Sequence, residues 1–226
     1  MLTIRLLLLI VVSAAMGCRT PAPSVTAAPS STNWEKEIRA FEQADRTNPP
    51  PREAILFVGS SSIRMWKTLA EDFPQHRVIN RGFGGSQIID SVFYADRIVI
   101  PYHPRLVVVY AGGNDINAGK TPEQVFEDFQ DFAALVWSRL PRTRLAYISI
   151  APNPKRWEQV DKTREVNRRI QEFAQKNRRR LVFIDVSHDM LGPDGKPRPE
   201  IFLEDRLHMN ASGYAIWKRV VAPYLH

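Results

Sequence analysis

Short apolar runs alternate with longer amphipathic segments along most of this chain, and few folds accept that pattern. Strand-like runs lie at 55–58, 77–80, 106–111, 145–150 and 181–186. Helical patterns cover 86–98, 122–140, 157–177 and 211–224. The run Leu106-Val107-Val108-Val109-Tyr110 is apolar on both faces, as a central parallel strand must be. Strand–helix alternation predicts a parallel sheet covered by helices. At 226 residues, 44% of them hydrophobic and 24% charged, the chain supports one sizeable core. Helically spaced Trp34, Ile38 and Phe41 open the folded part, so one domain over 34–226 is expected. That first helix should stop before Asn48-Pro49-Pro50-Pro51, since proline cannot continue it.

Residues 1–17 read as a leader rather than as fold. Arg5 precedes the apolar run 6–12 and the small residues Ser13, Ala14 and Ala15, which is a secretory signal pattern too short to span a bilayer. Ala15-Met16-Gly17-Cys18 resembles the lipobox of bacterial lipoproteins, with Ala15 where an aliphatic residue is more usual. The expectation is export, lipid on Cys18 and attachment to a membrane at the periplasm or cell surface. A plain signal peptide with a chance cysteine is the alternative. Residues 18–33, rich in Pro, Ser, Thr and Ala, cannot bury a core and are expected to form a flexible tether. The net charge of +7 is spread along the chain. Its one cluster, Arg178-Arg179-Arg180, reads as a solvated helix end, where cations favour the dipole, rather than as a nucleic-acid patch.

Ligands of open parallel sheets bind beyond the carboxyl ends of the strands. The polar motifs of this chain all follow strands. Gly59-Ser60-Ser61-Ser62 follows the first, Asn80-Arg81-Gly82-Phe83-Gly84-Gly85-Ser86 the second, and Gly112-Gly113-Asn114-Asp115 the third. A serine on a strand-to-helix turn has an exposed hydroxyl beside free helix N–H groups. Its hydroxyl becomes a nucleophile only when a positioned base takes the proton. Asp205-Arg206-Leu207-His208 offers an acid and a base at a spacing of three. The Ser61 N–H, the glycine-rich turn and the Asn114 amide can supply donors to an oxyanion. Ser60 and Ser62 compete with Ser61, and Asp185-Val186-Ser187-His188 repeats the Asp-x-x-His pattern at another strand end. No His/Cys cluster has metal-ligand spacing, the glycine segment lacks nucleotide-binding signatures, and the Gly-x-Ser-x-Gly elbow is absent, so neither metal nor cofactor is expected.

Taken in order, these blocks resemble those of the SGNH hydrolases, the GDSL-type esterases, over residues 52–222. The resemblance implies a flavodoxin-like α/β/α sandwich around a five-stranded parallel sheet, and cofactor-free hydrolysis of an ester or thioester. It assigns the nucleophile to Ser61, the oxyanion donors to Ser61, Gly85 and Asn114, and the acid and base to Asp205 and His208. Asn210 and Gly213 follow His208 as in the family block. The departure is Ser60, where the family has aspartate; that aspartate is not a triad member. Segments 151–159 and 191–204 should border the site and are too short for a separate lid. An open site suits a short acyl group, such as acetyl, on a sugar. The other readings are a lysophospholipase or thioesterase, and a non-catalytic glycan-binding lipoprotein. Trp66, Phe83, Trp157 and Phe202 are candidates for either pocket or core.

Overall fold

A computed structural model describes residues 34–226. The expected leader, Cys18 and the tether lie outside the described residues. Five parallel strands form one sheet in the order β2-β1-β3-β4-β5: β1 (Ile55–Gly59), β2 (Val78–Gly82), β3 (Leu106–Tyr110), β4 (Arg144–Ile148) and β5 (Leu181–Ile184). This is the flavodoxin-like order, and it reverses direction between β1 and β3. A crevice opens there at the carboxyl ends, just where the Ser61 and Asn114 segments begin.

Alternate strand residues feed two cores. Leu56, Val58, Val107, Val109, Leu145 and Tyr147 face α1 (Glu35–Thr47), α4 (Ile88–Phe93), α5 (Ala95–Ile98), α7 (Pro122–Arg139) and α8 (Val160–Lys176). On the opposite face, Ile55, Phe57, Val108, Ala146 and Ile148 meet α2 (Ser61–Arg64), α3 (Leu69–Asp72), α9 (Ser187–Met190) and α10 (Ala211–Val221). Trp66 and Phe83 are fully buried, so both belong to the core.

Helix α1 ends at Thr47, before the prolines as expected. Ile38 is its one fully buried side chain, and ion pairs supplement that anchor. Arg97 is held by Glu35 and Glu42, while Arg81 pairs with Asp45 and lies 5.0 Å over the Phe41 ring. At its start, Trp34 packs edge-on to Phe83 and reaches 3.1 Å from where a Cβ on Gly85 would stand. Helix α7 opens with Pro122 and a reciprocal capping box between Thr121 and Gln124. Arg178 and Arg179 are exposed just beyond α8, and Arg180 lies 4.4 Å over the Trp137 ring.

Several boundaries differ from the sequence patterns. The 86–98 helix divides at Tyr94, whose backbone (φ −89°, ψ 1°) leaves the helical region. In 157–177, the segment Pro154–Gln159 is a 3₁₀ turn and the α-helix starts only at Val160. The 211–224 helix ends at Val221 and tightens into a 3₁₀ turn containing Pro223. The second strand runs on to Gly82 rather than stopping at 80. The fourth and fifth strands end two residues early, because the Ser149 hydroxyl takes the N–H of Val186 and a side chain replaces the ladder.

Candidate active site

Strand β1 ends in a turn that only glycine can make. Gly59 has φ +135°, and a Cβ there would stand 1.9 Å from the Tyr110 carbonyl oxygen. Ser60 then donates its N–H to that same oxygen (3.0 Å) and accepts from the N–H groups of Ile63 and Arg64. Ser61 is the first residue of α2, so its N–H has no intrahelical acceptor. Asn80 locks β2 against this turn, donating to the Ile63 carbonyl (2.6 Å) and accepting the Gly82 N–H (2.9 Å). A Cβ on Gly82 would meet the Arg64 nitrogen at 2.2 Å, so β2 and α2 are in direct backbone contact.

The 205–208 segment is fastened from both sides. Asn210 caps α10 by accepting from Ser212 and Gly213, and its amide donates to the Glu200 and Phe202 carbonyls. The Tyr214 hydroxyl donates to the Ser62 carbonyl (2.9 Å), tying α10 to α2. These contacts bring His208 Nε2 to 2.9 Å from Ser61 Oγ and His208 Nδ1 to 2.5 Å from Asp205 Oδ2. The other Asp205 oxygen accepts the N–H groups of Leu207 and His208 (both 2.9 Å). Burial pushes the Asp205 carboxyl up, but the hydrogen bonds from His208 and Leu207 outweigh it and hold the group at about 2. Asp205 is therefore an anion in any medium near neutrality.

Asn114 joins the site from the first turn of α6 (Gly113–Asn117), just beyond the end of β3. Its amide nitrogen donates to the Ser86 carbonyl (3.0 Å), and its amide oxygen accepts from Arg156 Nη1 (3.0 Å). Both ends of the amide are thus fixed, and the second N–H remains for a ligand. Ser61, Asn114 and His208 wall one cleft with Tyr110, Met190 and Phe202. Segments 151–159 and 191–204 border it through Ala151, Asn153, Arg156 and Phe202. Gly85 lies outside those walls, next to Ser86, with its positive φ of 82° and Trp34 against it. Trp157 flanks an adjoining cavity rather than this one. His188 is 94% exposed and paired with Asp189. Asp185 turns instead to the Ser187 N–H and the Ser149 hydroxyl, so the second Asp-x-x-His forms no pair. Arg156 is the site residue that sequence reasoning missed; its only signal was a cation in a segment already expected to border the cleft.

Behind Asn114, the fully buried Asp115 accepts the Ile88 N–H (3.1 Å) and faces Lys120 at 3.3 Å. Burial raises its carboxyl to about 6, against the pull of Lys120. Between about pH 4 and pH 6 the folded chain therefore keeps a proton that the unfolded chain loses, and stability falls as pH rises. Asp115→Asn should gain on the native protein by up to about 3 kcal/mol across that window, at roughly 1.4 kcal/mol per unit, and keep a constant difference above it. Urea unfolding of both proteins at a series of pH values checks this.

The model of the GDSL-like lipase/acylhydrolase family matches residues 53–216. Among solved structures, a GDSL-like lipase from Bacteroides thetaiotaomicron is similar at a TM-score of 0.73 and 21% identity, over 83% of this chain and 96% of that one. A mutant of an acetyl-xylooligosaccharide esterase from Geobacillus stearmophilus is similar at 0.63 and 16%, over 78% and 95%. A carbohydrate esterase family 3 protein from Talaromyces cellulolyticus is similar at 0.61 and 18%, over 76% and 95%. At such identities the likeness is one of fold. The search of curated proteins gave no match.

Proposed function

Because the chain belongs to the GDSL-like lipase/acylhydrolase family, we propose that it is a serine esterase working through Ser61, His208 and Asp205. One observation carries this reading: the unbroken relay from Asp205 through His208 to the Ser61 hydroxyl, at 2.5 and 2.9 Å. His208 takes the Ser61 proton as the oxygen adds to the ester carbonyl. Asp205 holds the ring in the tautomer that leaves Nε2 free, and stabilises the imidazolium. The oxyanion is met by the N–H of Ser61 and the free N–H of Asn114; Gly85, the third donor that the resemblance implies, stands outside the cleft walls. His208 then protonates the leaving alcohol, and water repeats the sequence on the acyl-enzyme.

The cleft is narrow and closely walled by Tyr110, Ile150, Met190 and Phe202, which favours a short acyl group such as acetyl on a larger alcohol such as a sugar. The fold shared with an acetyl-xylooligosaccharide esterase supports the same reading. Hydrolysis of para-nitrophenyl esters should be fastest at acetyl and fall with chain length. A rise toward long chains would point to a lysophospholipase or thioesterase, and no turnover to a glycan-binding protein.

The Asn114 amide is held by Ser86 and Arg156, so its loss should be felt mainly in the transition state. Asn114→Ala should lower kcat by about 10²–10³ with unfolding little changed. Steady-state kinetics beside a denaturation curve check it. The placement of the enzyme is part of the same proposal. Residues 1–17 are removed, Cys18 carries lipid, and residues 18–33 tether domain 34–226 to a membrane, where several acyl chains anchor firmly. Intact mass of protein from a bacterial host should show the lipidated Cys18; an unmodified cysteine refutes it.

A further inference from the structure

We propose that Arg156 makes the cleft selective for esters that carry a carboxylate close to the ester bond. The inference rests on the esterase reading above and names a chemical class within it. Arg156 interrupts the 3₁₀ segment with a non-helical backbone (φ −121°, ψ 27°), and its N–H is held by Asn153 Oδ1 at 3.0 Å. The side chain turns back to the β3 end, where Nη1 donates to the Gly113 carbonyl (3.1 Å) and Asn114 Oδ1 (3.0 Å). The guanidinium is therefore fixed in place before any ligand arrives.

Its charge is unanswered. Among the described residues no carboxylate pairs with Arg156, and burial disfavours its charged form, with only Tyr110 acting in the other direction. Other partly buried arginines of this chain are treated differently: Arg81 meets Asp45, Arg97 meets Glu35 and Glu42, and Arg169 meets Glu123 and Glu165. Arg180, also partly buried without a carboxylate among the described residues, lies instead over the Trp137 ring, whereas Arg156 walls the cleft holding Ser61 and His208. A guanidinium has five N–H donors, and those on Nη1 are engaged. The remaining edge, Nε and Nη2, has no acceptor among the described residues and has the fork geometry that takes a carboxylate through two parallel bonds. Arg156 walls the cleft beside Asn114, so a carboxylate held by it within the cleft lies within a few bonds of the ester.

The carboxylate can sit on the alcohol half or on the acyl half, and two substrate pairs separate these. Para-acetoxybenzoate against its methyl ester carries the charge on the leaving alcohol. Mono-para-nitrophenyl succinate against its methyl ester carries it on the acyl group. In at least one pair, kcat/KM of the native full chain should favour the anion by about tenfold or more, the worth of one charge-assisted hydrogen bond. Arg156→Gln should bring that ratio to about one, whatever happens to the common rate through Asn114. Arg156→Lys should keep part of the preference, because a point charge replaces the fork. A ratio near or below one in both pairs overturns the proposal. So does a ratio unchanged in Arg156→Gln, which would leave Arg156 as a prop for Asn114 alone. If neutral and charged esters alike are untouched by the native protein, the esterase reading itself has failed.

Discussion

Ser61→Ala should abolish ester hydrolysis, lowering kcat by roughly 10⁶, the scale of loss when a serine nucleophile is removed. The hydroxyl of Ser61 is the one that His208 Nε2 meets at 2.9 Å. The two neighbouring serines are committed differently. Ser60 is buried, and its visible work is done by main-chain groups that alanine would retain. The Ser62 hydroxyl is engaged with Tyr110, and its carbonyl with the Tyr214 hydroxyl. Ser60→Ala should therefore keep most of the activity. A fluorophosphonate probe should label Ser61, as read by peptide mass spectrometry; a label on Ser60 or Ser62 would overturn the assignment.

His208→Ala should slow acylation about as severely, again by roughly 10⁶, because nucleophile and base act as a unit. His188 is the control that makes this result informative, since the sequence offers it in the same Asp-x-x-His setting. His188 points into solvent beside Asp189, and His188→Ala should cost little. Single-turnover acylation of both purified variants decides between them. A dead His188→Ala protein beside a rapidly acylating His208→Ala protein would move the base to the end of β5.

What could be read ahead of the structure followed physical strength. Strands β1 and β3 are buried on both faces, so their runs are continuously apolar and their positions were plain. Their central place in the sheet fixed the edge at which Ser61 and Asn114 meet. The ends of β4 and β5 were not plain, because Ser149 substitutes a hydroxyl for a backbone acceptor and no hydrophobic pattern records that exchange. Choosing between His208 and His188 needed the residues after each histidine, since topology alone sends both to the same edge. Asn210 shows why: its caps and its bonds to the Glu200 and Phe202 carbonyls hold the His208 loop in place. Arg156 was illegible for a different reason. Its reach to Asn114 depends on a single off-helix residue in a turn, and turns of that kind leave no periodicity.

The ends of the folded unit carry a practical lesson about where this enzyme can be cut. The recognisable stretch, 53–216, stops one residue short of Trp217, which is fully buried and lies 4.6 Å from the Tyr110 ring that walls the cleft. Beyond it, Val221 and Leu225 are also fully buried, and the Leu225 carbonyl accepts a hydrogen bond from Arg105. At the other end, the same trimming would strip Arg81 and Arg97 of their carboxylates and take Trp34 away from Phe83. Signature and foldable body are thus different lengths of the same polymer. A fragment trimmed to its signature would keep every group named in the chemistry and lose the walls that hold them.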